Sequence, residues 1–266
     1  RQSLQAMKIF TCLKEVPARD SRYELTNGET GIKESDLTFE INECDEYSLE
    51  ESLKLSKEHG GEVAILTAGR QRAEKSIRKG LAMGADRGIL IRDEEGQLNS
   101  PHAVAMAMAE VLKGEEYDLI LAGIQSDDWS YAQTGVLLAQ LLGLPHATIV
   151  MEIQADPTQK KVKALREMES GWFQWVELPM PSVLTVQAGI SQVRYASLKG
   201  IMQARKKEIR TIELGDLGVD LSLAPQVEVL RVYFPEAGKK AEILEGLTET
   251  VVEQLVEKLK KEAKVL

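Results

Sequence analysis

Short apolar runs that alternate with longer helical patterns constrain the fold of this chain more than any other sequence feature. Apolar runs typical of buried strands occupy residues 7–13, 62–67, 88–91 and 118–122. The patterns between and after them predict helices at residues 47–59, 72–83, 103–113 and 131–142. Strands joined by helices of this length form right-handed crossovers in a parallel sheet, and near-continuous apolar strands indicate that both sheet faces are covered.

Local signals mark where several of these helices begin and end. Ser100 and Pro101 are typical of an N-cap followed by the first helical position. Gly84 and Gly143 follow two of the predicted helices, and glycine tolerates the left-handed conformation that often ends a helix. In the first helix, the spacing of the leucines predicts an inward face, formed by Leu49, Leu53 and Leu55.

The chain changes character at residue 147. Strand patterns at residues 148–153, 162–167, 173–178 and 183–187, with a turn at Asp156-Pro157, predict a small additional β region over residues 147–190. A short helix at residues 198–204 follows, and the charged run after it indicates a solvated helix end. We therefore predict an α/β fold, a Rossmann-like parallel sheet flanked by helices, in a domain of residues 7–214 that includes the β region.

Both ends of the chain fall outside that predicted domain. Residues 215–266 are interrupted by glycines and prolines and predict an extended C-terminal arm ending in a helix. One apolar stripe runs along this helix, formed by Val251, Val252, Leu255 and Leu259. The stripe needs a covering surface, which either the chain's own domain or a partner subunit supplies. Residues 1–6 precede the first regular pattern and are interpreted as a tag or an upstream extension.

Charge and hydropathy argue against two classes of partner. The formal net charge of −9 is unsuited to a nucleic acid surface, which needs clustered lysine and arginine. No apolar run approaches the ~20 residues needed to cross a bilayer, so no membrane insertion is expected. The chain has two cysteines, Cys12 and Cys44, in 266 residues. These are too few for a disulfide framework and predict a reduced, cytoplasmic setting.

The sequence lacks the usual signatures of catalysis. Its three histidines, His59, His102 and His146, are isolated from one another, and neither cysteine has a neighbour at zinc-ligand spacing, so no metal site is expected. No Gly-x-Ser-x-Gly elbow, Walker-type loop or Gly-x-Gly-x-x-Gly motif is present. We therefore predict no catalytic residues, and the sequence supports neither an ordinary nucleotide hydrolase nor a standard dehydrogenase.

The strongest candidate site lies where the predicted parallel strands end. Ligands of open parallel sheets bind beyond the carboxyl ends of the strands, where residues 12–14, 68–69 and 123–128 should meet. Residues 129–135 continue the last segment with small, hydroxyl and amide side chains before a helix, as in a phosphate cradle. Two other interpretations stay open: Ser126 or Asp127 caps that helix, and Trp129 packs in the core instead of stacking on a base.

Several segments, in this order, resemble the beta subunits of electron-transfer flavoproteins. The resemblance extends from about Met7 to the C-terminal helix and lies in residues 42–51, 81–88, 123–135, 165–167, 178–185, 194–198 and 215–219. It implies a heterodimer in which a larger alpha subunit holds most of the FAD and the beta subunit binds an AMP. The implied AMP contacts are Cys12, Asn42, Glu43, Cys44, Asp45, Ala68, Gly123, Gln125, Ser126, Asp127, Asp128, Trp129, Ser130, Tyr131, Ala132, Gln133 and Thr134. Family members often have cysteine at the position of Ala68, so a contact there would involve backbone alone.

The same resemblance implies two protein-contact regions. Arg166 and Glu167 match a charged pair that lies near the mobile flavin domain in the family, although an exposed strand pair would look the same. Residues 194–202, called here the docking segment, match the loop that docks onto partner dehydrogenases, and the whole loop is expected at about residues 191–203. Its implied contacts are Arg194, Tyr195, Leu198, Ile201 and Met202, with Leu198 as the apolar anchor. The alternative is that Leu198 belongs to the core.

The resemblance implies an electron carrier. Electrons would pass from a flavoprotein dehydrogenase to the shared FAD and then to a quinone-linked acceptor. Electron-bifurcating relatives carry a second FAD in place of AMP, but residues 128–136 match their loop pattern only in part. Residues 42–51 and 187–190 look most similar to members that accept electrons from trimethylamine-dehydrogenase-type enzymes. A stand-alone adenine-nucleotide sensor is the rival from another class.

Overall fold

The computed structural model describes residues 6–28, 30–225, 227–235 and 241–266. Residues 1–5 of the predicted extension and residues 236–240 of the predicted arm lie outside this description. The described residues form two compact units. The larger unit contains the residues up to 24 together with residues 33–229, and the smaller unit contains residues 25–32 and 230–266.

The larger unit is built on a nine-stranded sheet. The strands of the chain are β1 (Met7–Cys12), β2 (Glu15–Pro17), β3 (Phe39–Ile41), β4 (Gly61–Gly69), β5 (Arg87–Arg92), β6 (Leu119–Gly123), β7 (His146–Asp156), β8 (Lys161–Glu167), β9 (Phe173–Pro179), β10 (Ser182–Val186) and β11 (Ile209–Glu213). The sheet order is β11-β5-β4-β1-β6-β10-β7-β8-β9, whereas β2 and β3 form a separate antiparallel pair. Pairing in the large sheet is parallel except at β7–β8 and β8–β9.

Helices cover this sheet. Those of the larger unit are α1 (Glu43–His59), α2 (Glu74–Met83), α3 (Pro101–Lys113), α4 (Thr134–Leu142) and α5 (Leu198–Ala204), and the smaller unit contains α6 (Thr248–Lys261). Apolar side chains of α3 and α4 pack in one core cluster, while those of α1 and α2 contribute to another. Among the described residues, no helix combines the length and apolar character that spanning a bilayer requires. The α/β fold with a flanked parallel sheet is therefore confirmed.

Several local predictions are also confirmed. The Ser100 hydroxyl accepts a hydrogen bond from the Ala103 N–H at 3.2 Å, and Pro101 is the first residue of α3. Gly143 adopts a left-handed conformation with φ of 66° and ends α4. The three leucines predicted to face inward on α1 are all buried, namely Leu49, Leu53 and Leu55.

Two helix starts differ from the prediction by three or more residues. α1 begins at Glu43, four residues before the predicted start at 47, because three acidic residues in its first turn suit the positive end of the helix dipole. α4 begins at Thr134, three residues after the predicted start at 131. Ser130 and Ala132 have φ values of 52° and 53°, which a right-handed helix cannot contain.

The predicted β region is continuous with the central sheet. β7 pairs in parallel with β10 near its start and antiparallel with β8 near its end, so one strand joins the two pairing types. β10 itself lies within the parallel part, between β6 and β7. The sequence did not predict β11, which adds a parallel strand beside β5, or the three-residue strands β2 and β3.

Two helices in the larger unit cap each other. The Arg78 guanidinium of α2 donates hydrogen bonds to the carbonyls of Ala204 and Lys207 at the end of α5, at 2.7 and 2.8 Å. The Lys207 ammonium in turn donates to the carbonyls of Leu81 and Ala85 at the end of α2. The last carbonyls of a helix lack partners within the helix, and here each helix supplies them for the other.

Candidate functional site

A cavity of about 400 Å³ opens at the carboxyl ends of the parallel strands β1, β4 and β6. The β1 register pairs Cys12 with Leu66 of β4 and with Ala122 of β6, which brings the three strand ends to one edge. The starts of α1 and α3 and the loop between β6 and α4 complete the wall. The cavity therefore lies where the sequence places the candidate site.

Most of the predicted contact residues line this cavity. The lining includes Cys12, Asn42, Asp45, Ala68, Gly123, Gln125, Ser126, Asp128, Trp129, Tyr131, Ala132, Gln133 and Thr134. The other four lie beside the lining and not in it, and they are Glu43, Cys44, Asp127 and Ser130. Glu43 pairs with Arg19, and its backbone N–H donates to the Asp127 carboxylate, while the Ser130 hydroxyl donates to the carbonyl of Ser126.

Asn42 attaches the loop after β6 to the start of α1. Its side-chain Nδ2 donates to the Gln125 carbonyl at 2.8 Å, and its Oδ1 accepts from the Asp127 N–H at 2.8 Å. Its own backbone N–H donates to the carbonyl of Lys14, at 2.9 Å. One buried amide therefore joins the segments that follow β1 and β6, which fixes the width of the cavity.

Asp45 forms a second junction one helical turn further along α1. Its carboxylate accepts from the backbone N–H of Lys14 at 2.7 Å and from that of Gly123 at 2.9 Å. A Cβ at position 123 would overlap this carboxylate and would lie 2.7 Å from Cβ of Cys44. Glycine is thus required at position 123 because the strand end approaches α1 so closely.

Burial raises the pKa of Asp45 from its ordinary value of 3.8 to about 7. The N–H groups of Lys14, Gly123 and Asn42 oppose this rise, because they stabilise the carboxylate. The folded chain therefore binds a proton more tightly at this carboxyl than the unfolded chain does.

We expect this proton to make the stability of the chain pH-dependent. A raised pKa in the folded state adds stability that is present in full below the unfolded-state pKa and is lost as pH rises toward 7. At about 1.4 kcal/mol per pKa unit, the free energy of unfolding should fall by up to about 4 kcal/mol between pH 4 and 7 from this group. Urea unfolding between pH 4 and 7 measures the effect, with Asp45→Asn as the control. If the free energy of unfolding changed with pH by the same amount in both proteins, the prediction would be contradicted.

The loop between β6 and α4 supplies an aromatic edge to the cavity. The rings of Trp129 and Tyr131 are stacked, with centroids 5.9 Å apart and planes 9° from parallel. Trp129 is 53% exposed, so the prediction of a Trp packed in the core is wrong. Neither Ser126 nor Asp127 caps α4, since the helix begins after Gln133 and has no side-chain cap there. The first turn of α4 therefore lines the cavity, through Thr134 and Gly135, without a capping side chain.

A lysine joins two sides of the cavity. The Lys14 ammonium contacts the Asp128 carboxylate at 2.6 Å and the Ser126 hydroxyl at 3.2 Å. Lys14 follows β1, whereas Ser126 and Asp128 follow β6. This contact therefore joins the same two segments that the more buried residues Asn42 and Asp45 also join. It places a cation beside the start of the loop.

The docking segment carries an exposed apolar surface. Tyr195 is 98% exposed and Leu198 is 83% exposed, and Ile201 and Met202 are exposed beside them. The alternative that Leu198 belongs to the core is therefore wrong. Below this surface, α5 lies directly on α2, because a Cβ on Gly200 would overlap the Ala82 carbonyl. Arg194 is only half-exposed, and its guanidinium pairs with Glu50 of α1.

Arg166 and Glu167 lie at the end of β8, and the arginine turns toward β7. Its Nε donates to the carbonyl of Thr148 and its Nη2 to the Thr148 hydroxyl, both at 3.0 Å. Ile149, next to Thr148, has a φ of 56°, an unusual value for a β-branched residue. The guanidinium thus supports an irregular point in the backbone of β7.

Comparison with known proteins assigns the chain to a family. A model of the electron transfer flavoprotein domain matches residues 30–217. The electron transfer flavoprotein subunit beta of Methylophilus methylotrophus is 38% identical over 93% of this chain and 95% of that protein. Those of Bacillus subtilis and Homo sapiens are each 32% identical, over 98% and 91% of this chain and 100% and 95% of the relatives. The chain belongs to the electron transfer flavoprotein family.

Sequence reasoning missed part of the cavity wall in this flavoprotein-family chain. Arg72, Ser100, Pro101, Met108, Val227 and Val229 also line it. The Ser100-Pro101 helix start was recognised as a cap but was not connected with the site, although α3 follows a strand that ends at the same edge. Val227 and Val229 lie far along the chain, and no local pattern marks them as wall residues.

Proposed function

We propose that this chain is the beta subunit of a heterodimeric electron-transfer flavoprotein, an electron carrier with no catalytic residues of its own. Similarity to beta subunits along nearly the whole chain supports this role and implies an alpha subunit as the partner. The FAD, held mainly by the alpha subunit, accepts and releases the electrons. A flavoprotein dehydrogenase donates them, and a quinone-linked acceptor receives them, in the cytoplasm.

We also propose that the cavity holds a structural AMP, and the observation that carries this proposal is the shape and polarity of its wall. The uncapped N–H groups at the start of α4 suit a phosphate. The exposed rings of Trp129 and Tyr131 offer an aromatic surface to a base. About 400 Å³ is near the lower end of the range for small-molecule sites, roughly 300–1,000 Å³.

The size of the cavity favours AMP over the second FAD of bifurcating relatives, because FAD contains a whole AMP joined to a further riboflavin phosphate. If the heterodimer holds its FAD as proposed, Arg166 would face the flavin domain of the alpha subunit, with its guanidinium held in place by Thr148. The residues 123–135 and the start of α1 would bind the AMP, and they do so without taking part in electron transfer.

Purification of the tagged chain from its native cells tests both proposals. A yellow complex with a larger second chain, one FAD and one heat-released AMP per pair is the expected result. Two FADs and no AMP would move the chain to the bifurcating branch. A colourless single chain that releases only an adenine nucleotide would overturn the electron-carrier proposal in favour of a nucleotide sensor.

We expect Leu198→Ala to weaken docking of the dehydrogenase. An exposed leucine that becomes buried in a partner pocket is typical of an interface hot spot, whose loss costs about 2 kcal/mol or more. The KM for the heterodimer as electron acceptor should rise at least about tenfold with kcat nearly unchanged. Leu223→Ala, which removes an equally accessible leucine elsewhere in the larger unit, is the matched control. Equal KM values for the two variants would contradict the proposed anchor.

A further inference from the structure

The docking segment is anchored to α1 by a single buried carboxylate. Both Glu50 oxygens accept from the Arg194 guanidinium, Oε2 from Nε at 2.7 Å and Oε1 from Nη2 at 2.8 Å. Oε2 also accepts from the Arg194 backbone N–H at 3.2 Å. The contact therefore fixes the backbone as well as the side chain at the first residue of the segment.

The burial of this pair is unequal. The Glu50 side chain is 6% exposed and that of Arg194 is 37% exposed. A buried carboxylate that loses its partner is strongly unfavourable, so Glu50 holds Arg194 in place. Bidentate pairing adds geometric specificity to this attraction, because the planar guanidinium fork matches the two carboxylate oxygens in one orientation only.

The orientation of Arg194 toward Glu50 gives this residue a structural part in docking instead of a direct contact with the partner. The resemblance to the family counts Arg194 among the partner contacts, but its Nε and Nη2 donors are bound to Glu50. Tyr195, the next residue, is almost fully exposed. Holding Arg194 against α1 therefore sets the direction in which Tyr195 leaves the backbone.

Two neighbouring contacts extend the attachment along the chain. Around Arg194, Val193 and Ala196 pack against the core cluster that contains Leu49. After it, the Ser197 hydroxyl accepts from the Gly200 N–H at 3.0 Å and starts α5. Between Val193 and Ser197, Glu50 makes the charged contact, while the other contacts are apolar packing and one hydrogen bond.

We propose that Glu50 is a positioning residue for docking: it holds Arg194 so that Tyr195 and Leu198 project together from the larger unit. This inference rests on the proposed function, because it assumes that the exposed surface of the docking segment receives the dehydrogenase. Glu50 itself is buried, so its part in docking is indirect.

The test compares Glu50→Gln with Glu51→Gln in the heterodimer. Glu51 is the matched control because its side chain is equally buried, at 5% exposed, and pairs with Lys54 on α1 itself. Hydrogen exchange of residues 188–197 should be about tenfold faster in Glu50→Gln than in the wild type and unchanged in Glu51→Gln. With trimethylamine dehydrogenase as the electron donor, the KM for the heterodimer should rise about five- to tenfold with kcat unchanged. Reduction by dithionite, which needs no docking, should stay at the wild-type rate.

Two outcomes separate this inference from the function on which it rests. Wild-type exchange of residues 188–197 in Glu50→Gln would overturn the positioning role, whatever the kinetics show. A wild-type KM in Glu50→Gln together with a raised KM in Leu198→Ala would also overturn it, while the docking function would stand. A wild-type KM in Leu198→Ala would overturn the docking function itself, and faster exchange in Glu50→Gln would then still establish the attachment to α1.

Discussion

Replacing Gly123 with alanine should destabilise the larger unit by about 3 kcal/mol and abolish binding of the proposed AMP. The new Cβ would overlap the Asp45 carboxylate and would lie 2.9 Å from the Asp45 backbone nitrogen. These atoms belong to the first turn of α1, so relief of the overlap requires the helix and the end of β6 to separate. Separation breaks the Gly123 hydrogen bond to Asp45 and displaces the cavity wall. Urea unfolding and the nucleotide released by heat measure the two effects.

Gly69→Ala is the matched control for this substitution. Gly69 ends β4 and lines the same cavity, but a Cβ there would meet Cβ of Ala73 at 3.7 Å, an ordinary contact. Its stability should stay within about 1 kcal/mol of the wild type. If both variants lost the same stability, the close approach of Gly123 to Asp45 would not be the reason that position 123 requires glycine. Any added carbon at the cavity edge would then be equally unfavourable.

Deleting residues 248–266 should weaken binding of the alpha subunit at least about 100-fold while leaving the larger unit folded. None of the residues of α6 is buried, and Val252 and Leu255 are 53% and 47% exposed. A stripe of this kind stabilises a structure only when another surface covers it. The melting temperature of the isolated chain should change by less than about 2 °C. Titration with the flavin-containing alpha subunit measures the loss of affinity.

A double substitution on the same helix separates the stripe from the helix as a whole. Val252→Ser with Leu255→Ser removes apolar surface, whereas Glu253→Ser with Gln254→Ser removes polar side chains at a similar cost in helix propensity. Only the first pair should weaken the heterodimer. A fall of about 10 °C in the melting temperature after the deletion, with alpha binding intact, would show instead that α6 folds back on its own chain.

The sequence predicts the fold where local patterns and tertiary packing agree. The apolar runs of β1, β4, β5 and β6 are long enough to be recognised as buried strands, and one helix between them, α3, begins with a recognisable cap at Ser100. The sequence does not predict β11, because its residues are exposed or half-buried and follow a charged run. They form a strand only through pairing with β5. The start of α4 is predicted three residues too early for a different reason. The positive φ values of Ser130 and Ala132 belong to non-glycine residues, and propensity alone does not place such residues outside a helix.

The candidate site divides in the same way. The edge of the sheet and the segment after β6 follow from topology, which is why so many predicted residues line one cavity. The hydrogen bonds of Asn42 and Asp45 to residues about 80 positions away depend on where α1 lies on the sheet, which no local pattern specifies. The Glu50–Arg194 pair, which joins residues 144 positions apart, is beyond sequence reasoning for the same reason.

The mutual capping of α2 and α5 determines how this part of the molecule comes apart. A seven-residue helix is too short to persist in water by itself, so α5 depends on tertiary contacts for its existence. Because Arg78 satisfies the end of α5 and Lys207 satisfies the end of α2, fraying of either helix exposes unpaired carbonyls on the other. The two helices therefore form one cooperative opening unit. On heating, the exposed apolar surface of α5 is expected to lose its shape at the temperature where α2 melts, and not before.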